Sequence, residues 1–228
     1  MSEQFVDREI PIQSSSEPSS LRLIATLGIA GLLAGIVLVG AYVFTLPIIE
    51  RNKEEALQEA IYHVLPGCSK YEALFLKDGQ LVKPEKNTEA GSQHSVKRIF
   101  LGYDEKGAVV GFAIPASGPG FQDLIKLIYG FGPKADVIIG FEVLESKETP
   151  GLGDKIVKDQ HFIGNFSALS VEPSLEGTPK GSKTKPNQIE TITGATISSK
   201  AVIKALQVSL GEWRPAIQQY IEKNTLSN

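Results

Sequence analysis

Residues 23–46 contain no Asp, Glu, Lys or Arg, a run of 24 positions closed by Arg22 on one side and by Pro47 with Glu50-Arg51 on the other. A backbone taken into hydrocarbon must satisfy its own N–H and C=O groups, which an unbroken helix does. At 1.5 Å per residue this helix is roughly 36 Å long, enough to cross a hydrocarbon core of about 30 Å with some tilt. A signal peptide has a shorter apolar core, usually about 7–15 residues, and no small-x-small cleavage site follows Tyr42. The run is therefore read as an uncleaved, single-pass membrane anchor. Gly31 and Gly35, flanked by Gly28 and Gly40, suit a helix contact but are also ordinary in membrane helices. Arg8 and Arg22 precede the anchor and Arg51 and Lys53 follow it, so the positive charges that set orientation are balanced. The tail, 1–22, is serine-rich and reads as flexible.

All charged residues lie outside the anchor, 23 Lys and Arg against 26 Asp and Glu, for a net charge of -3. That balance, with no basic stripe interleaved with aromatics, excludes a nucleic-acid partner. The hydrophobic share of 42% excludes a disordered chain and leaves enough apolar material for one core.

Within 50–65, Leu57, Ile61, Val64 and Leu65 recur at helical spacing and Pro66-Gly67 ends the pattern, which predicts a stalk helix in 47–67. β-prone runs follow at 73–76 and 80–82 around Asp78-Gly79, and at 96–103 and 108–114 around Glu105-Lys106-Gly107. Two more, 125–131 and 137–144, flank Gly132-Pro133. Such runs, with turn residues between them, predict hairpins. Helices are predicted at 153–162, opened by Asp154, and at 198–210, where Val202, Leu206 and Leu210 recur every four residues, with a last amphipathic piece at 215–221. The Gly-, Pro-, Lys- and Ser-rich stretch 173–186 predicts an exposed loop. The chain reads as α+β: tail (1–22), transmembrane helix (23–46), stalk helix (47–67) and one domain (68–228) with a mostly antiparallel sheet and flanking helices.

Cys68 is the only cysteine, which excludes an intrachain disulfide, thiolate-held iron–sulfur clusters and cysteine-rich zinc sites. His63, His94 and His161 share no ligand spacing, so neither a metal ligand nor a catalytic residue is assigned. Gly177 to Thr184 fails as a phosphate loop, because its glycines are one residue too close and Ser182 separates Gly181 from Lys183. Gly118-Pro119-Gly120 opens no dinucleotide fingerprint.

The informative stretch is Glu190-Thr191-Ile192-Thr193-Gly194-Ala195-Thr196-Ile197-Ser198-Ser199. A β-prone piece meets a small-residue turn at Gly194-Ala195 and enters a helix whose first turn displays the hydroxyls of Thr196, Ser198 and Ser199. Unpaired N–H groups and the positive dipole end at a helix start suit a phosphate. Hydroxyls at the same place equally serve as N-caps, and the residues alone leave both readings open.

Thr193-Gly194-Ala195-Thr196-Ile197-Ser198 resembles the Ser/Thr-Gly-Ala-Thr-x-Ser/Thr motif of a family of FMN-binding domains. The family includes the G subunit of Rnf electron-transport complexes and the C subunit of sodium-pumping NADH:quinone reductases. A second block, Glu148-Thr149-Pro150-Gly151-Leu152-Gly153, is similar to the family's Glu-Thr-Pro-Gly-x-Gly segment, which passes close to the flavin ring. Its proline fixes a turn, and its glycines let backbone N–H groups approach a flat ring edge. The resemblance extends from the anchor to about residue 210, and the tetrad is its specific part. It implies FMN esterified through its phosphate to Thr196, with Thr193, Gly194, Ala195, Ser198, Glu148, Thr149, Gly151 and Leu152 around the cofactor. It also implies attachment by a separate flavin transferase that uses FAD and magnesium. The transferase pattern normally begins with Asp where this chain has Glu190, an exchange that keeps the acidic charge.

The implied function is electron relay through covalent FMN in a membrane complex that couples electron flow to Na+ or H+ movement. The implied partners are other membrane and redox subunits. The implied location is the cytoplasmic (inner) membrane, with the flavin domain on the outer, periplasmic side. An anchor without acidic or basic residues leaves the ion path to those other subunits. The spacing between the two blocks resembles the Rnf type more closely. The alternatives are the C subunit of a quinone reductase and a flavin-free, membrane-anchored assembly module.

Overall fold

The structure, a computed structural model, describes residues 19–84, 97–134 and 136–225. The tail up to residue 18, His94 and the first residue of the 96–103 run lie outside the described residues. The chain divides into two units, Met1–Asn52 and Lys53–Asn228. Helix α1 is Ser20–Val64, with Pro47 inside it.

In the first unit the apolar side chains point outward. Leu27, Leu32, Ile36 and Val39 are all more than half exposed, the reverse of a water-soluble core and what lipid contact requires. Two hydroxyls close on their own helix: Thr26 Oγ1 donates to the Arg22 carbonyl at 2.7 Å and Thr45 Oγ1 to that of Ala41 at 2.9 Å. Neither proton is left for hydrocarbon to solvate. Anchor and stalk were predicted as separate helices; α1 covers both. Proline at 47 removes one backbone donor, while the residues on either side keep helical periodicity.

The second unit is built on one antiparallel sheet of seven strands in the order β2-β1-β3-β4-β5-β6-β7. These are β1 (Lys70–Lys77), β2 (Gln80–Val82), β3 (Arg98–Tyr103), β4 (Val109–Pro119), β5 (Leu124–Gly132), β6 (Val137–Glu145) and β7 (Leu169–Ser170). The predicted hairpins form. Between β1 and β2, Asp78 at φ 50° and Gly79 at φ 78° are both left-handed, as a two-residue type I′ turn needs. Between β3 and β4, the Asp104 carboxylate accepts from the N–H of Lys106 at 2.9 Å and of Ala108 at 2.8 Å.

Strand alternation places Ile99, Leu101, Phe112, Ile114, Leu127 and Tyr129 on one face and Phe100, Ala113 and Ile128 on the other. Helix α4 (Thr196–Thr225) covers the first face through Val202, Leu206, Leu210, Trp213 and Ile217. The C-terminal end of α1 covers the second through Ala60, Ile61 and Val64, with Leu65 beyond it. This end comes down on backbone. Gly130 and Gly140 are register partners in β5 and β6, and a Cβ on either would overlap the Val64 carbonyl oxygen. Only glycine lets the helix sit this close.

Three further predictions are corrected. Helix α4 continues through Pro215 where two pieces were predicted, because Trp213, Ala216 and Ile217 prolong its buried stripe and packing outweighs one missing donor. The 153–162 helix is two short ones, α2 (Lys155–Lys158) and α3 (Gln160–Gly164). Asp159 separates them, its carboxylate accepting from the N–H of His161 at 2.9 Å and of Phe162 at 3.1 Å, which starts a new cap. The 173–186 stretch is not wholly an exposed loop. It contains β8 (Glu176–Thr178), paired in parallel with β9 (Gln188–Glu190), and buries Leu175 and Thr178. Gly177 admits Ile203 of α4, whose Cδ1 would lie 3.0 Å from a Cβ there.

Candidate functional site

Strand β9 delivers the chain to the tetrad. The Thr178 carbonyl accepts both the N–H of Thr191, at 2.8 Å, and its hydroxyl, at 3.1 Å. The Ile192 N–H then donates to Ser199 Oγ at 3.1 Å, and the Ala195 N–H closes back on the Ile192 carbonyl at 3.0 Å. The turn this makes holds Gly194 at φ 82°, a conformation that excludes most side chains. The Ala195 carbonyl accepts Ser199 twice, from its hydroxyl and its N–H, each at 2.9 Å. That N–H makes the first helical bond, so the amides of Thr196, Ile197 and Ser198 stand ahead of the ladder at the positive end of a 30-residue helix.

The hydroxyls of this first turn therefore have different roles. Ser199 is buried and knits the turn, and Ser198 is buried and points to Glu148. Thr193 and Thr196 are exposed. Among the described residues the Thr196 hydroxyl makes only a long bond, 3.4 Å, to the Ile192 carbonyl.

Glu148 joins the two sequence blocks. It is 5% exposed, and its Oε2 accepts the Ser198 hydroxyl while Oε1 accepts the N–H of Phe121 at 2.8 Å and of Gln122 at 3.0 Å. Gly120 and Gly153 press on the carboxylate from either side. A Cβ on Gly120 would collide with Oε1, and one on Gly153 would lie 2.5 Å from Oε2. Burial pushes the carboxyl pKa up, but the Ser198 hydroxyl and the N–H groups of Gln122, Phe121 and Asp123 outweigh it and hold the group below the usual carboxylate range. Glu148 is thus an ionised clasp between the β4–β5 turn, the loop after β6 and the first turn of α4.

Beyond the clasp, the Thr149 carbonyl accepts the Leu152 N–H at 3.1 Å, and Gly151, at φ 78°, donates its N–H to Asp154 Oδ1 at 2.7 Å. Asp154, expected to cap a helix, holds this loop instead, with its other oxygen on Lys158 Nζ at 2.7 Å. Phe121, Leu152 and Ile197 are each more than half exposed, and each lies in a segment that the clasp ties together. An exposed hydroxyl, three amides ahead of the helical ladder and an apolar rim fit a flat aromatic ring that carries a phosphate.

Two features lay outside the sequence reading. Lys155 Nζ lies 4.0 Å from the position a Cβ would take on Gly194. Glu190 is buried, with Oε1 accepting from the N–H of Gly181 at 2.9 Å and of Lys183 at 3.3 Å, and Oε2 meeting His161 Nε2. The His161 bond, against the upward push of burial and with help from the two amides, holds its pKa below the ordinary value. No local pattern marks either role, since both depend on partners from other segments.

The chain is similar to several known proteins. The FMN-binding domain family matches residues 120–211, from the β4–β5 turn through the tetrad into α4. The G subunit of an ion-translocating oxidoreductase complex from Methanosarcina acetivorans is 31% identical over 186 residues, covering 81% of this chain and 89% of that protein. The G subunit of the Na(+)-translocating ferredoxin:NAD(+) oxidoreductase complex of Acetobacterium woodii is 31% identical over 166 residues, covering 71% and 76%. Among solved structures, NqrC of Shewanella oneidensis superposes with a TM-score of 0.59 at 16% identity, covering 74% of this chain and 98% of that one. That likeness is one of fold.

Proposed function

The chain belongs to the family of G subunits of ion-translocating oxidoreductase complexes, and from that premise we propose that it carries electrons in such a complex through FMN joined by its phosphate to the Thr196 hydroxyl. The observation that carries the reading is the division among the hydroxyls. Ser198 and Ser199 are committed inward to Glu148 and Ala195, and Thr196 stands exposed at the head of α4. FMN supplies the reversible uptake of electrons, for which the protein provides binding, orientation and electrostatics.

Attachment forms a bond from Thr196 Oγ1 to the flavin-side phosphorus of FAD and breaks the pyrophosphate link. AMP leaves, and the hydroxyl proton passes to a base of the flavin transferase or to water. The amides at the start of α4 stabilise the charged diester. Gly194, without a side chain, keeps the approach open. Phe121, Leu152 and Ile197 offer apolar surface to the ring, while Glu148 and Glu190 keep the loop and the strand that frame Thr196 in place. In this reading the anchor holds the domain at the cytoplasmic membrane on its outer face, beside the other membrane and redox subunits, and with no Asp, Glu, Lys or Arg in 23–46 it contributes no charged group to an ion path.

Coexpression with a flavin transferase tests the attachment. A fluorescent band on a denaturing gel and an FMN mass increment on the peptide containing Thr196 are expected, and both vanish in Thr196→Ala. A dark wild-type band, or flavin on a different residue, refutes it. Reporter enzymes fused to the C-terminus test the outer-face placement.

A further inference from the structure

One ammonium group beside the tetrad makes no salt bridge among the described residues; the neighbouring Asp154 feels its charge but hydrogen-bonds Lys158. Lys155 opens α2, and its Nζ stands against Gly194. The carboxylates of the surrounding segments are engaged elsewhere. Asp154 holds Lys158 and the Gly151 N–H, Glu148 holds Ser198 and two amides, and Glu190 holds His161 and the N–H groups of Gly181 and Lys183. Lys155 is also better fixed than an ordinary surface lysine. Gly153, two residues before it, is pressed against Glu148, and Ile156, immediately after it, is fully buried. Its half-buried side chain therefore leaves a backbone pinned on both sides. Facing it is the positive end of α4. Two positive features held this close repel one another unless an anion lies between them.

We infer that Lys155 is the counter-cation of the flavin phosphodiester, its ammonium pairing with a phosphate oxygen of the FMN carried on Thr196. The inference rests on attachment at Thr196 and adds the residue that neutralises the link. A phosphodiester carries one negative charge and the ammonium one positive charge, so the pair is neutral, and the α4 amides serve the same group from the other side.

The test uses the flavinylated full chain in detergent and reads the 31P shift of the diester at neutral pH. Lys155→Gln, which removes the ammonium, should move the resonance, and Lys155→Arg, which keeps a positive charge, should leave it closer to wild type. Lys158→Gln, which removes a charge three residues away, should leave it in place. A resonance unchanged in Lys155→Gln, or moved as far by Lys158→Gln, overturns the inference. If Lys155→Gln accepts no flavin, a nuclear Overhauser contact between the Lys155 side-chain protons and the phosphorus in wild type decides instead, and its absence overturns the inference. The fluorescent, mass-shifted wild-type band establishes attachment at Thr196 independently. A failed 31P test on such a protein refutes Lys155 alone, whereas a wild type with no covalent flavin refutes both.

Discussion

Replacing Glu148 by alanine removes the acceptor of hydrogen bonds from the Ser198 hydroxyl and the N–H groups of Phe121 and Gln122. A hydrogen bond to a charged acceptor contributes about 1.5–3 kcal/mol. Phe121 and Gln122 are exposed, so water can take up their amides after truncation, but Ser198 is 3% exposed and its hydroxyl would stay unpartnered. Counting the Ser198 bond in full and discounting the other two gives a loss of roughly 2–4 kcal/mol. Trp213, the only tryptophan, is buried in α4 against the sheet and reports urea unfolding of the full chain in detergent by its fluorescence. With a slope of about 2 kcal/mol per molar, the midpoint should fall by about 1–2 M. Glu148→Gln keeps the shape: its carboxamide oxygen accepts from the two amides and its NH2 donates to Ser198 Oγ. Only charge assistance is lost, about 1 kcal/mol. The pH dependence has a definite sign. Burial raises the Glu148 pKa, yet Ser198 and the amide donors leave it depressed in the folded state. Its advantage over glutamine is therefore complete above the unfolded glutamate value of about 4.3 and disappears as pH falls through the folded value. A Glu148→Ala midpoint within about 0.3 M of wild type, or a wild-type-to-Gln gap that is the same at pH about 7 and about 3, would refute this account of the clasp.

Gly130→Ala places a Cβ on the Val64 carbonyl oxygen, a backbone atom that cannot rotate away. The end of α1 must lift, with a loss of about 3 kcal/mol seen as a lower urea midpoint and faster tryptic cleavage at Lys70. Leu206→Ala empties a fully buried site between α4 and the sheet and should cost about 2–5 kcal/mol, measured by the same unfolding curve. Glu190→Gln weakens the hold on the 181–183 turn, so hydrogen exchange at the Gly181 and Lys183 amides should quicken. In wild type the same amides should lose protection on acidification, because the Glu190 pKa is depressed, first by His161, and its stabilisation is lost as pH falls through the folded value.

The hairpins were legible because each turn is specified by its own residues. Asp78-Gly79 adopts the left-handed pair that its composition favours. The same locality misled at Pro215 and at 173–186. Proline and a Gly/Pro-rich composition argue for interruption and exposure, but Trp213 and Ile217 in one case and Leu175 in the other have a core to enter. At the site, the two sequence blocks were recognisable as patterns, yet their mutual arrangement was not. Glu148 and Ser198 are paired across 50 positions. Nothing around Lys155 in the chain announces Gly194 as its neighbour.

The sequence by itself determined that one helix would be long and apolar enough to cross a membrane, where strands would turn, and that the small-residue turn before α4 would present hydroxyls. Each of these follows from charge, periodicity and backbone freedom within a few consecutive residues. Only the tertiary structure decided which hydroxyls are left outward, why Gly130 and Gly140 must lack side chains, and that Glu148 binds its own protein while Lys155 faces the tetrad. These outcomes depend on which segments meet, and burial at the meeting point makes each hydrogen bond or missing Cβ decisive.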